Sequence, residues 1–371
     1  MNIIVSGGGT GGHIYPALTI IRAIQQNEPS ARILYVGTPH GLEADIVPRE
    51  GIDFIAVDLA GFERKFSLEN ILRAGRALCA LARASGIVRR FRPDVAIGTG
   101  GYAAGPILLA ASLAGVPTLV QEQNVYAGVT NRILARFATA IAVGMEDARA
   151  VFPQNKTYVT GNPIRPEVLT ASRGEGAKAF GFDPLKKTVL VSGGSRGARS
   201  INHAMVEVIA RAAEQTDVQY LHVTGAEEHG DTLARIRNAG VRLEEHPNIR
   251  VLPYLYNMPQ AMAMADVAVF RAGATGLAEL AARGVPAILI PYPYAAENHQ
   301  EKNARAMEAA GAAEVILNRD LDGAVLTEAL RTLLSDDVRR AGMAAAMKRL
   351  GKPKAAEEIA ALALRISKGE G

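Results

Sequence analysis

The chain has one cysteine, Cys79, in 371 residues. A lone thiol excludes an internal disulfide and fits a reducing compartment. No uninterrupted apolar run reaches the roughly 18 residues of a membrane-crossing helix. The longest candidate, Ile107 to Val120, is broken by Ser112, Gly115 and Pro117. The chain passes from Met1 directly into a strand and a glycine loop, so no signal peptide is expected. No helix-turn-helix, zinc or aromatic stacking motif is present, which excludes the usual nucleic-acid readers. His/Cys clusters of metal-site spacing are absent.

What is present is globular: 49% hydrophobic and 21% charged residues. At about 150 residues per domain, the length indicates two domains. The formal net charge of +4 is unevenly placed. Residues 62–92 carry eight Lys/Arg against two Glu, a local +6 that leaves −2 for the rest.

Short apolar strands alternate with helices from Asn2 onward, the pattern of a parallel sheet covered on both faces. The first helix is expected from Pro16, a long one from Ser67 to about Phe91. Gly161-Asn162-Pro163-Ile164-Arg165-Pro166 reads as a connector, because its prolines oppose helix. After it the alternation restarts at Lys187. The expected division is 1–160, 161–345 and a C-terminal helix, 346–371, expected to pack back on the N-terminal domain. Two Rossmann-like parallel-sheet halves joined by one linker would face an interdomain cleft with their strand ends.

Glycine loops punctuate both halves: Gly7 to Gly12, Gly98 to Gly101, Gly193 to Gly197. Each sits between strand and helix, where unpaired N–H groups suit anionic oxygen. A dinucleotide fold also needs an acidic residue closing the second strand. That position reads Val36-Gly37-Thr38-Pro39, and the Walker lysine is missing too. His13, where the first loop meets its helix, is the side chain best suited to proton transfer near neutral pH. Glu122 in Gln121-Glu122-Gln123-Asn124 is the rival base. Four polar residues closing a buried strand must meet a ligand or one another.

The richest stretch is Phe270 to Ala304. A Gly-rich turn opens a helix bearing Glu279, which can accept from a sugar diol. After a buried strand, Asn298, His299, Gln300 and Asn303 offer paired donors and acceptors for sugar hydroxyls. This is the equipment of a nucleotide-sugar site. Asp320-Leu321-Asp322 matches the DxD of metal-dependent sugar transferases, but reads as a loop before a helix start, so no metal is expected.

In order along the chain stand GGTGGH (8–13), GTGGY (98–102), EQN (122–124), GNPIR (161–165), GGSRGA (193–198), RAGATGLAE (271–279) and HQEKNA (299–304). This set resembles the MurG family of bacterial N-acetylglucosaminyltransferases over nearly the whole chain. The resemblance implies an α/β GT-B fold, with an N-terminal acceptor domain, a C-terminal donor domain and a last helix crossing back. It implies inverting transfer of GlcNAc from UDP-GlcNAc to the 4-hydroxyl of MurNAc in lipid I, without a cofactor. Carried over residue by residue, His13, Tyr102, Glu122 and Asn124 face the acceptor, with His13 expected as the base and Glu122 its rival. Thr10, Gly11, Gly12, Asn124, Arg165, Ser195, Leu255, Ala274, Thr275, Glu279, Gln300 and Asn303 contribute to the donor. Within that set Glu279 holds the ribose, Ser195 and Arg165 the nucleotide end, the Leu255 backbone uracil, and Gln300 the GlcNAc hydroxyls.

A lipid acceptor also gives the basic segment a purpose. Arg73, Arg76, Arg83 and Arg90 share one helical face, and Lys65, Phe66 and Leu68 add cationic and apolar groups. A peripheral site on the anionic cytoplasmic leaflet is expected there, against the alternative of a solvated helix face. Two other readings remain open: a UDP-GlcNAc 2-epimerase of the same fold, and a non-catalytic nucleotide-sugar sensor.

Overall fold

Asn2–Ser6 (β1) is the strand on which the first half is built. Its alternate residues Ile3 and Val5 enter one apolar layer and Ile4 the opposite one, so the sheet is buried on both faces. There follow α1 (Gly11–Asn27), β2 (Arg32–Gly37), α2 (Glu43–Arg49), β3 (Asp53–Ala56), α3 (Glu69–Phe91), β4 (Val95–Gly98) and α4 (Ala104–Leu113). β5 (Thr118–Glu122), α5 (Val129–Leu134), β6 (Ala140–Val143) and β7 (Thr157–Val159) complete a parallel sheet of order β3-β2-β1-β4-β5-β6-β7. The chain works outward from β1, then returns to β4 on its other side. The loops after β1 and β4 therefore meet at the switch point, joined by Gly8 N–H donating to the Gly100 carbonyl at 3.3 Å.

This computed structural model describes residues 1–57 and 69–370, with the side chains of residues 69–78 outside the description. The chain divides into two units, Met1–Ile164 with Pro353–Gly371, and Arg165–Lys352.

The second unit repeats the plan. α6 (Pro166–Thr170) and α7 (Arg173–Phe180) lead into β8 (Lys187–Ser192), α8 (Arg199–Ala212), β9 (Val218–Val223), α9 (His229–Asn238), β10 (Ile249–Leu252) and α10 (Met258–Met264). Then come β11 (Val267–Phe270), α11 (Ala274–Arg283), β12 (Ala287–Leu289), α12 (His299–Ala309), β13 (Ala313–Val315), α13 (Gly323–Ser335) and α14 (Asp337–Leu350). The parallel order β10-β9-β8-β11-β12-β13 puts its switch point between β8 and β11. A core of Val189, Val191, Ile201, Val267, Val269, Leu326 and Leu330 fills one face.

The structure departs from the sequence reading in three places. α1 begins at Gly11, so Gly11, Gly12 and His13 form its first turn and Pro16 lies inside it, forgoing one ladder bond. β6 and β7 extend the first sheet, though neither stood out as a strand. The helical tail is two helices: the expected break at 345/346 falls within α14. Gly351 and Pro353 interrupt the run, and α15 (Ala355–Ser367) belongs to the first unit. There Ile359, Leu362 and Ile366 join the layer holding Ile14, Ile20 and Ile24. At about 1.5–3 kcal/mol per buried aliphatic side chain, these three alone are a large share of a domain's net stability.

Candidate active site

All strands within each sheet run parallel, so the loops carrying the motifs emerge along one edge of their own sheet. On the first unit this edge gathers Thr10, Gly11, Gly12, His13, Tyr102, Glu122 and Asn124. On the second it gathers Ser195, Leu255, Ala274, Thr275, Glu279 and Gln300.

His13 is half-buried in the first turn of α1. Its Nδ1 lies 3.0 Å from the Gly8 carbonyl oxygen and 3.4 Å from Thr10 Oγ1. A carbonyl only accepts, so the Gly8 contact puts the imidazole proton on Nδ1 and leaves the lone pair on Nε2. The Thr99 hydroxyl donates to the His13 carbonyl at 2.8 Å, holding the turn. Tyr102 is 47% exposed after β4, available to a ligand.

The polar residues closing β5 meet one another. Gln121 donates to Asn162 Oδ1 at 3.0 Å, Asn162 to the Gln123 carbonyl at 2.9 Å, and Gln123 to Gln121 Oε1 and the Thr99 carbonyl. Glu122 Oε1 accepts from the Asn124 backbone at 3.0 Å and its side chain at 3.1 Å. Glu122 Oε2 accepts from Gly128 N–H at 3.1 Å and Asn131 at 2.8 Å. Buried with four donors around it, this carboxylate organises the loop before α5 and is poorly placed to take a substrate proton.

On the second unit, α8 and α11 begin after glycine turns with no side-chain cap and no acidic residue in the first turn; α1 does the same on the first. Three other helices carry side-chain caps: Ser172 and Glu175 form a capping box on α7, and Asp322 and Asp336 cap α13 and α14. The glycine-loop helices thus present open N–H groups and positive dipole ends. Asp322 of the DxD match is occupied as a cap, accepting from Val325 N–H at 2.8 Å. Among the described residues, no group of three or more His, Cys, Asp or Glu is placed to hold a metal. Exposed Ser195 rides the loop before α8.

Glu279, buried on the second turn of α11, is held by Arg165: Nε to Oε1 at 2.8 Å and Nη2 to Oε2 at 3.1 Å. Buried Ala274 opens that helix, and Thr275 follows half-buried. Gln300 accepts from Tyr292 N–H at 3.0 Å through Oε1, a bond that does not use its amide N–H donors. Asn303 is fully buried and donates to the Ala272 carbonyl at 3.2 Å, so it braces the turn before α11. Leu255 stands between Tyr254 and Tyr256, whose rings meet edge to face at 4.8 Å, beside a cavity of about 320 Å³ lined also by Arg250 and Asn257.

Two residues gave little signal in the sequence. Arg271 reaches the Ile290 and Pro291 carbonyls and Asn318 Oδ1 at 3.0, 3.0 and 2.9 Å, and Ser200 Oγ at 3.0 Å. Burial pulls its pKa down to about 10. It ties the start of α8 to the segment that carries Tyr292. Glu43 is fully buried beneath the first glycine loop, accepting from Gly9 N–H at 3.1 Å, Thr38 N–H at 3.0 Å and the Thr38 hydroxyl at 2.7 Å. An acidic residue in the first turn of a helix is so ordinary that nothing marked it out.

Of the basic segment, Lys65, Phe66 and Leu68 lie outside the described residues, as do the side chains of Arg73 and Arg76. Arg83 and Arg90 are exposed on α3 and line an open cavity of about 650 Å³ with Arg32, Phe54, Ile55 and Phe91.

Two Rossmann-like domains, each with glycine-loop helices at its switch point, make the fold of the GT-B class. Residues 3–143 match the glycosyltransferase family 28 N-terminal domain and residues 188–359 the family 28 C-terminal domain. A Desulforamulus reducens protein is 46% identical over 360 residues, 97% of each chain. Its name is UDP-N-acetylglucosamine–N-acetylmuramyl-(pentapeptide) pyrophosphoryl-undecaprenol N-acetylglucosamine transferase. The crystal structure of Acinetobacter baumannii MurG superposes with a TM-score of 0.78 at 27% identity, covering 98% of this chain and 99% of that one. The chain belongs to glycosyltransferase family 28 and, within it, to the MurG family. A UDP-GlcNAc 2-epimerase from Neisseria meningitidis, bound to UDP-GlcNAc, shares the fold alone, at 15% identity, a TM-score of 0.66 and coverage of 98% and 100%.

Proposed function

We propose that this protein transfers N-acetylglucosamine from UDP-N-acetylglucosamine to the 4-hydroxyl of the N-acetylmuramyl unit of lipid I, giving lipid II and UDP with inversion. The supporting observation is near-full-length identity of 46% to a transferase of that name. The motif residues, moreover, line one edge of each sheet. In this reading Met1–Ile164 handles the acceptor and Arg165–Lys352 the donor. Glu279 accepts from the ribose hydroxyls, the Leu255 backbone reads uracil, and the Gln300 amide donates to the sugar.

The chemistry is one displacement. His13 Nε2 takes the proton as the acceptor oxygen attacks the anomeric carbon, and the bond to the diphosphate breaks. Negative charge growing on the diphosphate is met by the open N–H groups of α8, its dipole and the Ser195 hydroxyl. On the first unit, Asn124, Thr10 and the backbone of Gly11 and Gly12 are assigned contacts to the donor, and Tyr102 to the acceptor sugar.

The first unit is also proposed to rest on an anionic membrane surface from the cytoplasmic side. No described helix is long and apolar enough to cross a membrane. Val129, Ile133 and Phe137 are exposed at four-residue spacing. Exposed Leu113 lies beside them, since Ser112 donates to the Phe137 carbonyl at 3.0 Å. Arg132 and Arg136 flank this stripe, a combination that suits an interface between headgroups and acyl chains.

The experiment is a coupled assay with UDP-GlcNAc and a lipid I analogue. Stoichiometric UDP release with a disaccharide product is expected. Formation of UDP-ManNAc without acceptor would make the protein an epimerase, and tight donor binding without turnover would make it a sensor.

A further inference from the structure

We infer that Glu43 is a positioning residue for the proton acceptor, acting on His13 through the single peptide unit that joins Gly8 to Gly9. The inference rests on the proposed role of His13, and deepens it. The Gly9 N–H donates to Glu43 Oε2 at 3.1 Å, while the Gly8 carbonyl receives His13 Nδ1 at 3.0 Å. These two groups belong to one planar peptide, so they point in opposite directions across it. Fixing the N–H side fixes where the carbonyl points, and the carbonyl sets which imidazole nitrogen carries the proton. A loop of glycines would otherwise leave that plane free to rotate.

The surroundings are built around this contact. A side chain at Gly8 would come within 2.4 Å of Glu43 Oε1, and one at Gly41 within 2.2 Å of Glu43 Oε2. A side chain at Gly101 would come within 2.3 Å of the Gly8 carbonyl oxygen. Glu43 itself is immobilised by two bonds from Thr38, and the neighbouring Tyr35 hydroxyl donates to the Gly7 carbonyl at 2.6 Å. Burial pushes the Glu43 carboxyl upward, but the bonds from Thr38 and Gly9 outweigh it and hold its pKa below the usual carboxylate value. The anion therefore persists in a fully buried place, where it accepts and cannot donate. A catalytic histidine is commonly oriented by a carboxylate touching it directly. Here the carboxylate works one peptide away.

The test replaces Glu43 with Gln, which keeps the shape but sets an amide where an acceptor is needed. With a lipid I analogue, kcat is expected to fall roughly ten- to a hundredfold, while the KM for UDP-GlcNAc stays unchanged. In a His13→Ala background the same substitution is expected to cost nothing further, because the residue through which it acts is gone. Nitrogen NMR of the protein labelled at its histidines reads the tautomer without turnover: His13 protonated on Nδ1 in the wild type, and mixed in the variant. If Glu43→Gln lowers activity equally with and without His13, or leaves the His13 tautomer intact, the inference fails. Should Glu43→Gln not fold, Thr38→Val removes one anchor of the carboxylate and must shift the tautomer in the same direction. A wild-type protein with the Nδ1 tautomer but no transfer would instead refute the proposed function.

Discussion

Arg165 grips Glu279 with two parallel bonds, 2.8 and 3.1 Å long, across 114 residues of chain. The guanidinium stands at the start of the second unit and the carboxylate on α11, so the pair fixes α6 against the sugar-nucleotide segment. The Glu279 side chain is 5% exposed and that of Arg165 33%. Each carboxylate oxygen keeps a second lone pair, enough for the two hydroxyls of a ribose. In the proposed function, Arg165 would serve the nucleotide by orienting Glu279.

Removing either partner should weaken UDP-GlcNAc. Glu279→Ala is expected to cost about 1.5–3 kcal/mol, tenfold to over a hundredfold in affinity. The loss should shrink with a 2′,3′-dideoxyribose donor. Arg165→Ala should cost a similar amount and add little in the double variant, measured by calorimetric titration. Full additivity would return Arg165 to a separate contact with the diphosphate.

His13→Ala should lower kcat on a lipid I analogue by ~10²–10⁴ and leave UDP-GlcNAc binding on the second unit unchanged. A wild-type rate that falls on acidification, as imidazole is protonated, should lose that limb in the variant. If turnover stays near normal and Glu122→Gln abolishes it in a folded protein, the base is Glu122. That outcome would require the four bonds around Glu122 to open.

Ile133→Ser with Phe137→Ser should reduce sedimentation with vesicles of phosphatidylglycerol and phosphatidylethanolamine. Turnover of a long-chain acceptor should fall with it, and that of a short soluble acceptor should not. Equal losses on both acceptors would mark a defect in the site or the fold.

His222 is fully buried on β9 with Nε2 3.0 Å from Asn202 Oδ1, and burial, helped by His229, lowers its pKa to about 3. Unfolded, it titrates near 6.5. The unfolded chain thus binds more protons than the folded one between these values, and stability falls as pH drops through that window. Chemical denaturation of His222→Gln should show a flatter pH dependence from 6.5 downward. An unchanged slope would place the acid sensitivity elsewhere.

The sequence by itself determined the two-domain parallel-sheet plan, the glycine loops and the family. Strand periodicity, the Gly and Pro positions and ordered motifs are local properties, written in neighbouring residues. Only the tertiary structure decided which polar residues serve one another. Gln121, Gln123 and Asn162 close on themselves and Asn303 braces Ala272, because contacts between residues tens of positions apart leave no local mark. Glu122 ties down its own loop, through partners two to nine residues on. The tail looked like one helix by composition. Whether α15 would pack on the first unit was decided by where Ile14, Ile20 and Ile24 left apolar surface to cover. Glu43 shows the same limit, since its partners come from the loops at Gly9 and Thr38, which only folding brings beneath one helix end.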